Sequence, residues 1–231
     1  MGSLNFIGGE KGGVGKSVLS RVLAQYFIDQ KKPFTGFDTD RSHQSFRRFY
    51  EDYAHKTVVD SYESLDLIGE CFAEDPEHSV LIDLAAQTFA PVARWVEDSD
   101  LFTLFDELGI QVNFWHVIDG SKDSVNLLNH LFDTYGDKPN YILVQNYGRC
   151  SDFSIFEQSA EKARAEEMGA TIISMPKLNE GSMQKIDLHN TSFWKAINNK
   201  ADGVETLGML ERQRVKVWLQ KMYDVLDTIS L

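Results

Sequence analysis

Gly8-Gly9-Glu10-Lys11-Gly12-Gly13-Val14-Gly15-Lys16-Ser17 is a glycine-rich loop that ends in Gly-Lys-Ser. Residues 4–7 before it (Leu-Asn-Phe-Ile) predict a short strand, and residues 18–28 after it carry the apolar spacing of a helix. Strand, glycine loop and helix in that order are the setting of a phosphate-binding loop. Glycine tolerates positive φ and lets consecutive N–H groups converge on an anion, while the helix N-terminus adds partial positive charge. In such a loop Lys16 reaches the β and γ phosphates of a triphosphate, and the Ser17 hydroxyl ligates Mg²⁺.

One position departs from the ordinary pattern, which opens with a glycine five residues before the one in Gly-Lys-Ser. Glu10 stands there, and Lys11 follows it. Lys11-Gly12-Gly13-Val14-Gly15-Lys16-Ser17 thereby resembles the deviant Walker A loop of the ParA/MinD family of ATPases, in which the extra lysine is diagnostic. The resemblance implies that Gly12, Gly13, Val14, Gly15, Lys16, Ser17 and Val18 hold ATP with its Mg²⁺. It also implies that ATP joins two subunits into a homodimer, Lys11 of each reaching the nucleotide of the other.

The bulk of the sequence agrees with one α/β domain over residues 1–231: 42% of residues are hydrophobic and 25% charged, and no Gly/Ser linker or repeat divides the chain. Cys71 and Cys150 are the only cysteines, which fits a reducing compartment better than a disulfide scaffold. No apolar run has the length of a membrane span and no basic segment followed by an apolar core opens the chain, so a cytoplasmic protein is expected. Met1-Gly2-Ser3 is read as a cloning remnant, because Phe6 stands where a myristoylation signal needs Ser or Thr. The net charge of −12 disfavours broad binding to a phosphate backbone unless a local basic patch overrides it.

Short apolar runs alternate with helical patterns, which predicts a doubly wound, mostly parallel sheet with helices on both faces. Further strands are expected at residues 34–37, 80–82, 112–118, 141–144 and 171–175. Leu65, Ile68, Cys71 and Phe72 mark one amphipathic helix, and Val125, Leu128, Leu131 and Phe132 another, capped by Ser121 or Ser124. A long last helix is expected from about 206 to 228, burying Leu207, Leu210, Trp218, Met222, Val225 and Leu226.

Sheets of this kind bind ligands at the C-terminal ends of their strands, so the polar residues there are read first. Asp38-Thr39-Asp40 resembles the family's D-x-D segment, which implies that Asp40 helps place the attacking water and that Asp38 supports the Mg²⁺ environment. The strand ending at Asp83 looks like a Walker B strand, with Asp83 holding Mg²⁺ through water. Many relatives have a proline soon afterwards; here Leu84-Ala85-Ala86 intervenes before Gln87, which either senses the γ phosphate or is a plain surface amide. Asn146 falls where relatives read the adenine edge, and Pro176 where a loop flanks the base. Asn146 beside Gly148 is equally a turn residue.

Six scattered histidines show no metal-ligand spacing, and His116 within a strand is read as a core residue. Arg47-Arg48 and the set Arg212, Arg214, Lys216 and Lys221 are two basic clusters, solvated faces by default and local contacts for DNA or an acidic partner otherwise. Glu211, Asp224 and Asp227 interrupt the second cluster, which argues against a membrane-binding tail. The chain looks closest to the small ParA-like proteins of plasmid mobilisation, conjugative transfer or partition, and the resemblance implies a protein partner in such a complex. Two alternatives stay open: a metabolic ligase or kinase of the same superfamily, such as one resembling dethiobiotin synthetase, and a nucleotide-binding module without turnover.

Overall fold

The computed structural model describes residues 2–198 and 206–229. In chain order the elements are β1 (Ser3–Gly8), α1 (Lys16–Asp29), β2 (Phe34–Asp38), β3 (Ala54–Lys56), α2 (Tyr62–Glu74), β4 (Ser79–Asp83), α3 (Phe89–Asp98), α4 (Leu101–Glu107) and β5 (Gln111–Ile118). They continue with α5 (Lys122–Tyr135), β6 (Asn140–Asn146), α6 (Ser154–Glu157), α7 (Ala160–Glu167), β7 (Thr171–Met175), α8 (Glu180–Leu188), α9 (Phe193–Asn198) and α10 (Met209–Leu226). All seven strands form one parallel sheet in the order β3-β2-β4-β1-β5-β6-β7. The six expected strands are present.

The sheet is covered on both faces because its strands are apolar on both sides of the pleat. Leu4 and Phe6 of β1, Tyr141 and Leu143 of β6 face the side packed by α2, α3 and α5. Ile7 of β1, Ile142 and Val144 of β6 face the side packed by α1, α9 and α10. Phe6 stacks on Phe114, its register neighbour on β5, at 4.6 Å between ring centres. A buried polar row crosses the same strands: Asn5 Oδ1 accepts from Asn113 Nδ2 and Trp115 Nε1, both at 3.0 Å. Because each of these donors has an acceptor, the row does not carry the cost of an orphaned buried polar group.

Gly2 and Ser3 pack as part of the sheet: Ser3 opens β1 and its hydroxyl donates to Ser79 Oγ at 3.1 Å, while a side chain at Gly2 would collide with the Pro76 carbonyl. Two expectations are corrected. β3 was not expected, since Ala54-His55-Lys56 has no apolar run; it forms by adding to the edge of β2 at Gly36–Asp38. The last helix starts at Met209, and Leu210 is 62% exposed. Its buried stripe is Val215, Trp218, Leu219, Met222 and Leu226, and Leu210, five residues before Val215, falls on the opposite side of a 3.6-residue repeat.

β1 is the strand at which the winding reverses: β4 and β2 lie on one side of it, β5 and β6 on the other. Its C-terminal end therefore opens into the crevice where such sheets take their ligands.

Candidate nucleotide site

The loop after β1 enters α1 through Gly15, held at φ 110°, with Gly9 at φ 121° and Gly13 at φ 76°. A side chain at Gly15 would collide with Asn146 Nδ2, so this position needs glycine for space as well as for backbone freedom. No side chain caps the N-terminus of α1, and its first turn carries no acidic residue. By contrast α2, α5, α7 and α8 are capped by Ser61, Ser121, Ser159 and Asn179. The first N–H groups of α1 thus keep their capacity for an anion.

Around this loop stand the ends of four strands. Lys16 folds back so that its Nζ donates to the Lys11 carbonyl at 2.8 Å. Burial lowers its pKa, against the opposing pull of Asp83 and Asp40. Lys11 leaves the loop in another direction: its Nζ lies 2.8 Å from Asp119 Oδ2 and donates to Ser121 Oγ at 2.5 Å. Burial works to raise the Asp119 pKa but is outweighed by the bonds from Lys11, Ser121 and Ser124, which leave the carboxyl well below the usual range.

Asp83 is buried at the end of β4, where Ser20 Oγ donates to its Oδ1 at 3.0 Å and the Ser17 hydroxyl is near enough to favour its charged form. Burial and the neighbouring Asp38 push it up to about 7, offset in part by Ser17, Ser20 and Lys16. Asp38 spends both oxygens on backbone: Oδ1 accepts from Asp40 N, and Oδ2 from Phe46 N and Arg47 N, all at 2.9 Å. It folds the loop 39–47 around itself, and its pKa is raised by burial. Asp40 closes its own turn by accepting from Ser42 N at 2.9 Å and His43 N at 3.0 Å. Thr39 ties the two strand ends together, its hydroxyl donating to the Asp83 carbonyl at 3.0 Å and accepting from Ala85 N at 2.8 Å.

Asn146 is buried, and both ends of its amide are engaged by backbone. Nδ2 donates to the Val14 carbonyl at 2.7 Å and Oδ1 accepts from Gly148 N at 2.9 Å. It therefore braces the glycine loop from the end of β6. His116 lies beneath the loop as a neutral core residue: Nε2 donates to the Ser124 carbonyl at 2.7 Å, and burial holds its pKa down near 4. Gln87 is exposed, at φ 65°, and falls outside the residues that line the cavities below.

Two cavities adjoin here. The first, 440 Å³, is lined by Gly12, Gly13, Gly15, Lys16, Ser17, Asp40 and Asp83 together with Arg21, Arg48 and Phe49. The second, 340 Å³, is lined by Asn146, Met175, Pro176, Lys177, Leu178 and the α8 residues Glu180, Met183 and Gln184. Val18, Arg149 and Asp187 line both. The expected residues Gly12, Gly13, Gly15, Lys16, Ser17, Asp40 and Asp83 are thus gathered in one cavity, and Asn146 and Pro176 in its neighbour. Val14 is buried and presents its carbonyl to Asn146, and Asp38 lies behind the wall.

Some residues of the site escaped the sequence reading. Asp119 directly follows the last residue of β5, much as Asp38 and Asp83 close β2 and β4, so the rule of reading polar residues at strand ends would have found it. Arg149 and Asp187 carry no such signal, one lying in a turn and the other on an ordinary amphipathic helix.

The open parallel sheet with a glycine loop at its reversal point defines a P-loop nucleotide-binding fold. Comparison with known proteins narrows this. No family model matches the sequence. Protein TraL of Escherichia coli is 24% identical over 236 residues, covering 96% of this chain and 95% of its own. Protein MobD of Acidithiobacillus ferrooxidans is 25% identical over 182 residues, covering 76% and 78%. Among solved structures, the MinD cell division protein of Aquifex aeolicus superposes with a TM-score of 0.55 at 13% identity, over 100% of this chain and 98% of that one. The structure of pNOB8 ParA bound to nonspecific DNA superposes at 0.50, also at 13% identity, over 97% and 99%. The chain thus shares the fold of MinD and ParA and is related in sequence to TraL and MobD.

Proposed function

We propose that this chain is an ATP-binding and ATP-hydrolysing switch that dimerises on ATP and acts in plasmid transfer, mobilisation or partition. The observation that carries the proposal is the pair of adjoining cavities: a cationic, glycine-lined end with Lys16 and Ser17 beside Asp83, and an end of mixed lining in which Met175, Pro176 and Leu178 offer apolar walls beside the amide of Asn146. That sequence of surfaces matches a triphosphate followed by a purine. The residues also fit a divalent cation. Ser17 and Asp83 supply a hydroxyl and a carboxylate side by side, both hard oxygen ligands, in a site where burial leaves the carboxylate in need of positive charge.

In this reading Gly12, Gly13, Gly15 and the start of α1 surround the phosphates with N–H groups, and Lys16 leaves the Lys11 carbonyl for the β and γ phosphates. Ser17 and Asp83 hold Mg²⁺, which supplies charge neutralisation to the phosphates. Asp38 serves the metal site through its charge beside Asp83 and by shaping the loop that carries Asp40, and Asp40 orients the attacking water. Asn146 and Pro176 form walls of the base pocket. Lys11 exchanges Asp119 for the nucleotide of a second subunit.

For partners, the kinship with TraL and MobD favours a protein of a plasmid transfer complex. The solved MinC:MinD complex and DNA-bound ParA show that proteins of this fold engage both protein and DNA. Arg214 and Lys221, seven residues apart on one exposed face of α10, are the local basic surface for DNA, and Lys216 is exposed on the other side of the buried stripe. Among the described residues no helix is long and apolar enough to cross a membrane.

Calorimetric titration with ATP and Mg²⁺, together with phosphate release, tests the reading. Wild type should bind and slowly hydrolyse ATP, whereas Lys16→Ala should lose binding at least tenfold. Phosphate transfer to a small carboxylic acid would replace the switch with a metabolic enzyme, and binding without turnover under every condition would leave only a binding module.

A further inference from the structure

We infer that Asp187 is the ribose-reading residue of the cleft, accepting hydrogen bonds from the vicinal hydroxyls of the sugar, and that Arg21 is the positioning residue that holds it. The inference rests on the nucleotide reading above and adds a specificity determinant to it.

Three observations converge on Asp187. It lines both cavities, together with only Val18 and Arg149. A nucleotide with its phosphates against Lys16 and its base against Pro176 must pass its sugar across that shared wall. On α8, Glu180, Met183, Gln184 and Asp187 follow the spacing of a single helical face, and all four line the base cavity, but only Asp187 reaches the phosphate cavity as well.

The third observation is Arg21, one helical turn beyond Val18 on α1. Its side chain is 4% exposed, and Nη1 donates to Asp187 Oδ1 at 2.8 Å. The guanidinium lies 3.7 Å from the centre of the Phe49 ring and 5.0 Å from that of Phe193. Its Nε and Nη2 have no hydrogen-bond partner among the described residues. A cation buried on such terms is costly, and breaking its one ion pair would strand it. The aromatic rings therefore fix Arg21, and Arg21 fixes one oxygen of Asp187. The other oxygen has no partner among the described residues, on a side chain that is 44% exposed.

The chemistry selects the ligand group. A carboxylate repels phosphate, so this position does not extend the phosphate site, whereas two neighbouring hydroxyls are donors that match a fixed acceptor. A site built to accept from a hydroxyl discriminates against the analogue lacking it. Because Asp187 is partly open to water, the discrimination is modest, about tenfold, the order of one hydrogen bond to a charged group.

Titration calorimetry of ATP and 2′-deoxy-ATP at fixed Mg²⁺ tests this. Wild type should bind ATP about tenfold more tightly. Asp187→Ala strands a buried cation and is the wrong variant. The double variant Arg21→Met/Asp187→Leu replaces the pair by apolar groups and should bind both nucleotides equally. Asp187→Asn, whose amide oxygen still accepts from Arg21, should reduce the ratio at least threefold even if the double variant fails to fold. Equal binding of the two nucleotides by wild type, or an unchanged ratio in either variant, overturns the inference. If wild type binds neither nucleotide, or Lys16→Ala binds ATP as well as wild type does, the nucleotide reading itself fails and the inference falls with it.

Discussion

Lys11 and Lys16 leave the same loop and meet opposite fates. Lys16 is buried against its own backbone, while Lys11 is pinned outside the phosphate cavity by Asp119 and Ser121. If Lys11 must reach a second subunit, the Asp119 pair opposes it. Asp119→Asn should therefore raise the fraction of dimer at a given ATP concentration, by several-fold for a partly exposed pair worth about 1 kcal/mol. Sedimentation of wild type and variant across an ATP series checks this, and an unchanged curve would remove Asp119 from the account. At Gly15 the expectation is simpler: Gly15→Ala forces a methyl onto Asn146 Nδ2 at a left-handed φ, and should abolish nucleotide binding measured by calorimetry. Asp83 gives a pH dependence. Its pKa is raised in the folded state, so the stability it contributes is full below its unfolded pKa of about 4 and is lost as pH rises through about 7. Without Mg²⁺ the melting temperature of wild type should thus fall from pH 5 to pH 8 more than that of Asp83→Asn. Mg²⁺ with ATP should restore it most at pH 8, where the carboxylate is ionised.

At the scale of the elements, the strands and the loop they carry were the legible part. Apolar runs ending in Asp38, Asp83 and Asn146 place strand ends to within about two residues, because a strand buried on both faces has little choice of residue. β3 was illegible because an edge strand of Ala, His and Lys is made by its neighbour and not by its own propensity. The role of a side chain is harder to read than its place. Asp38 and Asn146 stand where the motif puts them, yet their polar atoms are engaged by the backbone of the loops they organise. Sequence spacing has no access to such partners, and none to the meeting of Arg21 with Asp187 from 166 residues away. Thr39 shows how the elements are joined: its one hydroxyl links the ends of β2 and β4 to the following loop. Thr39→Val should lower stability to denaturant by about 1–3 kcal/mol, since it leaves the Ala85 N–H without its acceptor, while the Asp83 carbonyl still accepts from Thr39 N at 3.1 Å. A larger loss in ATP hydrolysis than in binding would mark the loop as part of the switch.

For the whole molecule, the charge of −12 and the Arg214–Lys221 face of α10 act in opposite directions, so any DNA binding should be weak and steeply dependent on salt. If nucleotide controls assembly, as proposed, static light scattering reads it directly. With ADP, and with ATP plus Mg²⁺ for Lys11→Ala, the protein should scatter as a monomer. With ATP plus Mg²⁺ wild type should approach twice that mass, and Asp40→Ala, which lacks the residue proposed to orient water, should stay there. One mass for all samples, whatever the nucleotide, would show that nucleotide does not control assembly.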